Sequence, residues 1–228
     1  MKTLSKNQIV IKIYLILIFL FFSVSLFSQK DNVPINYYQI KTDVYYLNSQ
    51  YYYPKLFVKY ENNDTTLTIQ DYRHLYYGYI FQANYSPNPG SVYQQNLLVY
   101  LKKAKLSESD LKQMIKYSNL ILKELPFDLK TLHILAYCYN ELGDLENNHL
   151  IDYKRIMIIE AIFSSGDGLS EKTAWHVISN AHEYDIINEL GYRYGGQQTI
   201  GLCDYVLVAQ NSDKIEGFYF RMSNFIGD

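Results

Sequence analysis

Histidine, acid and arginine lying close together are where a search for chemistry begins. The pair His182-Glu183 resembles the start of a zinc-protease helix, in which two histidines four residues apart hold the metal and the glutamate acts as base. The second histidine is due at position 186, where isoleucine stands. The motif is incomplete, and no metal or cofactor is expected. No G-x-S-x-G nucleophile elbow is present. Gly166, Gly168, Gly195 and Gly196 lack the spacing of a phosphate cradle and read as turns. The densest group of polar tips is instead Tyr72-Arg73-His74. An arginine fork suits a carboxylate, and phenol rings stack on sugars or pack against peptides.

Tyrosine dominates that neighbourhood. The chain has 25, and 15 of them fall between Tyr37 and Tyr100. Tyr51, Tyr52 and Tyr53 are consecutive, as are Tyr76 and Tyr77. With its apolar body and polar tip, tyrosine fills a core rim or forms a contact surface. The reading adopted is the surface one. Tyr52, Tyr53, Arg73, His74 and Tyr77 are expected to share an exposed ligand-binding groove, and no catalytic residue is assigned. The alternative is a cell-envelope hydrolase working from this tyrosine-rich region with Arg73, His74 or Glu183.

The amino terminus addresses the compartment. Lys2, Lys6 and Lys12 precede an unbroken apolar run from Ile13 to Phe22, and Ser28 closes the segment. A basic start, an apolar middle and a small residue at the end make a secretory signal peptide. Residues 1–28 are therefore expected to be a signal peptide, and the run is short for a retained membrane anchor. Loss of the three leader lysines lowers the formal charge from −2 to −5. An acidic chain without a basic patch argues against nucleic acid and anionic membrane surfaces. The expected location is periplasmic or secreted, with no membrane insertion after cleavage. The expected partner is an envelope protein, a peptide or a glycan. Cys138 and Cys203 invite a disulfide in an exported chain. Without the close spacing of a metal or redox motif, they are read as separate buried thiols.

Several helix starts are legible. Tyr37, Ile40, Val44 and Leu47 share one helical face. Ser49 to Tyr60 is read as extended or irregular because Pro54 pushes its neighbour away from helix. Thr68 with Asp71, and Ser107 with Asp110, are capping-box spacings. A short helix is expected over Tyr93 to Ala104, and a longer one from Leu111 to Leu125. Asp128 and Asp144 are expected to cap helices ending at Gly143 and Phe163. Trp175 to Ser179 and Tyr184 to Leu190 are read as a strand pair, the alternative being one continuous helix. Leu202 to Ala209 and Ile215 to Met222 are strand-like around the turn Asn211-Ser212-Asp213.

Leu132, Leu135, Ala136, Tyr139, Gly143 and Asp144, with Pro126 upstream, resemble a tetratricopeptide unit. The resemblance fades at Asn148 and Arg155, and an ordinary helical hairpin is the alternative. Asp64-Thr65-Thr66 resembles the short acceptor signal for O-glycosylation that some Gram-negative bacteria use on exported proteins. A broader resemblance rests on Ser49 to Leu56, Asp64 to Thr68, Tyr72 to Phe81, Tyr85-Ser86-Pro87, Ser165 to Ser170 and His182-Glu183-Tyr184. In that order they are similar to the exported bacterial domain-of-unknown-function family 4919. The resemblance implies a shared fold and export, and it implies no reaction. The expected architecture is α+β, a single domain over residues 30–228. Helices over 34–165, including the tetratricopeptide-like hairpin, should pack on a small antiparallel sheet over 173–224.

Overall fold

The computed structural model describes residues 33–223. The expected signal peptide lies outside the described residues. The described part is α+β, with helices first and a small sheet last.

Helix α1 (Tyr37–Tyr45) starts at Asn36, whose side chain accepts from the Gln39 N–H. It buries Tyr37, Ile40 and Val44, one face at helical spacing. Helix α2 (Tyr53–Glu61) corrects the irregular segment expected there. Pro54 sits in its first turn, where a missing N–H leaves no intrahelical bond unmade. Tyr53, Leu56 and Tyr60 then form its buried stripe.

Helix α3 (Ile69–Gly78) is held at its start by a reciprocal Thr68–Asp71 capping box. Every residue from Tyr72 to Gly78 is buried. A helix covered on all sides lies in the interior, not at a surface. Gly78 lets α1 approach, since a Cβ there would lie 2.7 Å from Val44 Cγ1. A 3-10 turn over Tyr79–Phe81 follows.

Helices α4 (Gln94–Leu101) and α5 (Glu108–Glu124) come next, α5 beginning at the Ser107–Asp110 capping box. Asp128 caps α6 (Leu129–Glu141) and Asp144 caps α7 (Leu145–Phe163). Between them Gly143 has φ +75°, a left-handed conformation that suits glycine. Helix α6 is shared by two apolar clusters. Leu132 and Leu135 join the main core with α3, α7 and the sheet. Ile134 and Cys138 join a smaller core with Leu97, Leu111, Met114 and Ile121. Cys138 and Cys203 are both buried free thiols. Burial pushes Cys138 up to about 11.

The sheet contains β1 (Trp175–Val177), β2 (Tyr194–Ile200), β3 (Cys203–Val208) and β4 (Gly217–Met222), in the order β1-β4-β3-β2. It is mixed, which corrects the antiparallel expectation. β3 pairs antiparallel with β2 and β4, but β1 runs parallel to β4, Trp175 opposite Phe220. The final hairpin turn stands as expected: Asn211 bonds the backbone of Ala209 and Ile215 through its side chain.

The expected strand over Tyr184 to Leu190 is instead helix α8 (Asn180–Glu189). Ser179 caps it, accepting from the Ala181 N–H, and His182, Glu183, Ile186 and Ile187 make its buried face. The β-branched content of this segment is overridden by the cap and the helical period. Strand β2 gave no signal in sequence. It is a polar edge strand with a bulge between Tyr194 and Gly196, joined to the sheet through its pairing with β3.

Candidate functional site

The expected tyrosine groove is not formed. Arg73, His74, Tyr53 and Tyr77 are buried, and Tyr52 is half-buried. The residues of α3 face α1, α2, α7 and β1 rather than solvent. Tyr77 hydroxyl donates to the carbonyls of Ala161 and His176, each at 3.2 Å. The Arg73 guanidinium donates to Ser164 Oγ and, at 2.8 Å, to the Val33 carbonyl. His74 stacks on Tyr51 at 3.6 Å between ring centres, with its nitrogens on the Gln70 carbonyl and Asp43. Tyr53 packs on Phe57, and its buried hydroxyl has no partner among the described residues. Lys55 Nζ lies 5.9 Å from the centre of the Tyr52 ring. The physical reason is the dual character of tyrosine: its ring is large enough for a core, provided its hydroxyl is satisfied there.

Two histidines belong to the same interior. Tyr76 hydroxyl donates to His182 Nδ1 at 2.7 Å and accepts from the Ile178 N–H at 3.2 Å. The His182 ring also bonds the Phe127 backbone, and burial pushes its pKa down to about 4. His176 Nδ1, Tyr37 hydroxyl, Ser223 hydroxyl and the Val177 carbonyl form a second chain, with contacts of 3.0, 2.7 and 2.9 Å. The Val177 carbonyl can only accept. The hydrogens therefore run in one direction, from His176 to Val177. Burial, then Arg221 and Arg73, lower His176 to about 4. Both rings are neutral connectors at physiological pH.

Glu183 faces the sheet with no exposed surface. One oxygen accepts from Gln197 Nε2 at 3.3 Å and the other has no hydrogen-bond partner among the described residues. Burial, with Asp204 alongside, raises this carboxyl to about 8. His182 and Glu183 thus point into separate parts of the interior. Among the described residues, no three His, Cys, Asp or Glu side chains converge as ligands for a metal.

The open polar site is elsewhere. Helices α6, α7 and α8 enclose a cleft of about 470 Å³. Lys130 and His133 enter from α6, Arg155 from α7, and Tyr184, Asp185, Asn188 and Glu189 from α8. Ile159 and Leu129 form apolar floor between them. Arg155 is clamped, Nε to Asp152 at 2.9 Å and Nη1 to Glu189 at 2.6 Å. Lys130 and His133 are exposed and bond no other described side chain. Burial and the nearby Asp128 carboxylate raise Asp185 to about 7, and Lys130 opposes them. The cleft therefore offers two unengaged cationic or basic side chains, a fixed arginine and a carboxyl near its midpoint at neutral pH.

Sequence reasoning missed this site. Its signals are Lys130 with His133 three residues apart, and Asp185 with Glu189 four apart, each on one helix face. The second pair is visible only when residues 180–189 are read as helix.

Comparison with known proteins agrees with the resemblance noted from the sequence. No curated protein and no solved structure matches the chain. The model of one family matches residues 38–227, nearly all of the described fold, and on that span the chain belongs to the domain of unknown function DUF4919.

Proposed function

We propose that this protein is an exported, non-catalytic binding module of the cell envelope, and that it takes its ligand in the cleft of α6, α7 and α8. The observation that carries this reading is the pairing of open and fixed charge there. Lys130 and His133 are free to meet an anionic or polar group, while Asp152 and Glu189 hold Arg155 in place. A side chain already fixed loses less freedom when a ligand arrives. The apolar floor at Leu129 and Ile159 suits the hydrocarbon part of a peptide or the face of a sugar. The leader residues, with three lysines before an apolar run, support export to the periplasm or beyond.

The test is a calorimetric titration with envelope peptides and cell-wall glycan fragments, wild type against Lys130→Ala with His133→Ala. Loss of a charged hydrogen bond of about 1.5–3 kcal/mol should weaken binding tenfold or more. Equal affinities would remove the cleft from the binding surface.

One observation favours a second reading, an envelope hydrolase. Asp185, near its midpoint at neutral pH, and His133 line the same cleft. A carboxyl poised there suits general acid or base work. Turnover of a glycan or cell-wall fragment, abolished by Asp185→Asn while the fold persists, would establish this reading in place of the first.

A further inference from the structure

The loop between α2 and α3 carries a feature that neither the cleft nor the core uses. Asp64-Thr65-Thr66 is the only place in the chain where aspartate precedes serine or threonine. Backbone bonds hold the loop closely: Asp64 N–H to the Lys59 carbonyl at 3.0 Å, and Asn63 N–H to the Tyr60 carbonyl at 3.1 Å. Leu67 anchors its far end in the core. The two threonines differ. Thr66 donates its hydroxyl to Asp64 Oδ1 at 2.6 Å and its N–H to the same oxygen at 2.9 Å. Those bonds lower the Asp64 pKa, so the carboxylate is ionised at neutral pH. Thr65 is exposed, and its hydroxyl bonds nothing among the described residues; only its carbonyl is engaged, by Tyr153.

We propose that Thr65 is an O-glycosylation acceptor, presented on a rigid turn by the ionised Asp64. The proposal rests on the export reading, because the acceptor signal belongs to exported chains. The co-reactant is a glycan attached through its anomeric carbon to a lipid pyrophosphate. Thr65 Oγ1 attacks that carbon and forms the new C–O bond. The bond from the anomeric carbon to the phosphate oxygen breaks, and its electron pair leaves with the pyrophosphate. The hydroxyl proton passes to a base of the transferase. The structure also selects between neighbours. The Thr66 hydroxyl is already occupied by Asp64. Asn63 opens the overlapping sequence Asn63-Asp64-Thr65, which has the N-linked acceptor pattern. Its side-chain oxygen is buried without a partner among the described residues, and its φ is +54°, whereas Thr65 is exposed. A sugar on Thr65 would project into solvent without displacing core.

The test is intact-mass and peptide mass spectrometry of the chain recovered from its own bacterium. The expected result is a chain beginning near Gln29 whose mass exceeds the processed sequence by whole sugar residues on the peptide containing Thr65. Thr65→Val and Asp64→Ala should return it to the bare mass, and circular dichroism should show both variants folded. Asn63→Gln and Thr66→Val should keep the sugar. A processed chain at its bare mass overturns the glycosylation and leaves export standing. A chain that keeps its leader and carries no sugar overturns both. Sugar lost in Asn63→Gln but kept in Asp64→Ala assigns the linkage to asparagine and overturns the role of Thr65.

Discussion

Lys154 and Arg155 are neighbours on α7, yet they meet opposite surroundings. Lys154 is buried, its Nζ 4.2 Å from the centre of the Tyr60 ring, and burial lowers it to about 8. No carboxylate among the described residues forms an ion pair with it. Arg155 faces the cleft and is held by two carboxylates. One side of the helix thus meets an aromatic interior, where most polar tips, the Tyr53 hydroxyl excepted, are consumed in internal bonds. The other meets a cleft, where some polar groups have no internal use. A polar side chain signals a ligand site only when the fold does not already satisfy it. By that criterion the tyrosine region is scaffold and the cleft is the candidate site.

The largest expected effect tests the scaffold side. Tyr76→Phe keeps the ring and removes the hydroxyl that joins Ile178 N–H to His182 Nδ1. Both groups would be left buried without that partner, at about 1–3 kcal/mol each. Tyr76→Phe should therefore lower unfolding free energy by about 3 kcal/mol in urea titration. Tyr38, 82% exposed on α1, is the control. Tyr38→Phe should shift stability by less than about 0.5 kcal/mol. Similar midpoints for the two variants would break the contrast between used and unused hydroxyls.

The next effect sharpens the contrast through pH. Glu183 is raised from 4.5 to about 8 by burial and Asp204, and Asp185 from 3.8 to about 7 by burial and Asp128. In the fold each keeps a proton that the unfolded chain releases. Their stabilising contribution is complete below the unfolded values and is lost as pH rises through 7 and 8. His176 and His182 act in the opposite direction, lowered from 6.5 to about 4 by burial. Their contribution is present above 6.5 and is lost as pH falls through 4. The trends offset in the middle, and net loss begins above about pH 6.5. One group changes the slope by at most about 1.4 kcal/mol per pH unit. Glu183→Gln should flatten the alkaline loss up to about pH 8, and Asp185→Asn only up to about pH 7. Thermal melts from pH 6 to 9 measure this. An unchanged alkaline slope in Glu183→Gln would show that this carboxyl ionises as freely in the fold as in the unfolded chain.

How much of this was legible in sequence depended on whether the signal was local. The capping residues Thr68, Ser107, Asp128 and Asp144 all cap as read, because a cap is decided within four residues. The free thiols and the Asn211 hairpin were legible for similar reasons. Helix α2 was lost because Pro54 was read as a breaker, and its place in the first turn was not visible from composition. Strand β2 was lost because its edge position needs no apolar alternation. Tyr53, Arg73, His74 and Tyr77 were placed on a surface because tyrosine suits core and surface equally. Only tertiary structure shows that α3 is covered on every side. The cleft was invisible because its residues come from three helices, one of them read as a strand.

The smallest expected effect decides whether the cleft is a site or more scaffold. Lys130 is exposed at the start of α6 and bonds no other described side chain. Its removal exposes little and leaves no buried group without a partner. Surface changes of that kind stay within about 0.5 kcal/mol. Two weak terms act against each other. Lys130 sits in the first turn of α6, at the positive end of its dipole, where a cation is slightly unfavourable. It also lines the cleft with Asp185, where it opposes the effect of the Asp128 charge on that carboxyl. Lys130→Ala should therefore leave the urea midpoint nearly unchanged and raise the Asp185 carboxyl further. Carboxyl titration by NMR would read that rise, because the side chain that lowers the Asp185 pKa would be gone. A fall in stability above about 1 kcal/mol would show that Lys130 is a structural tie, like the hydroxyls around α3, and would end its candidacy as a ligand contact.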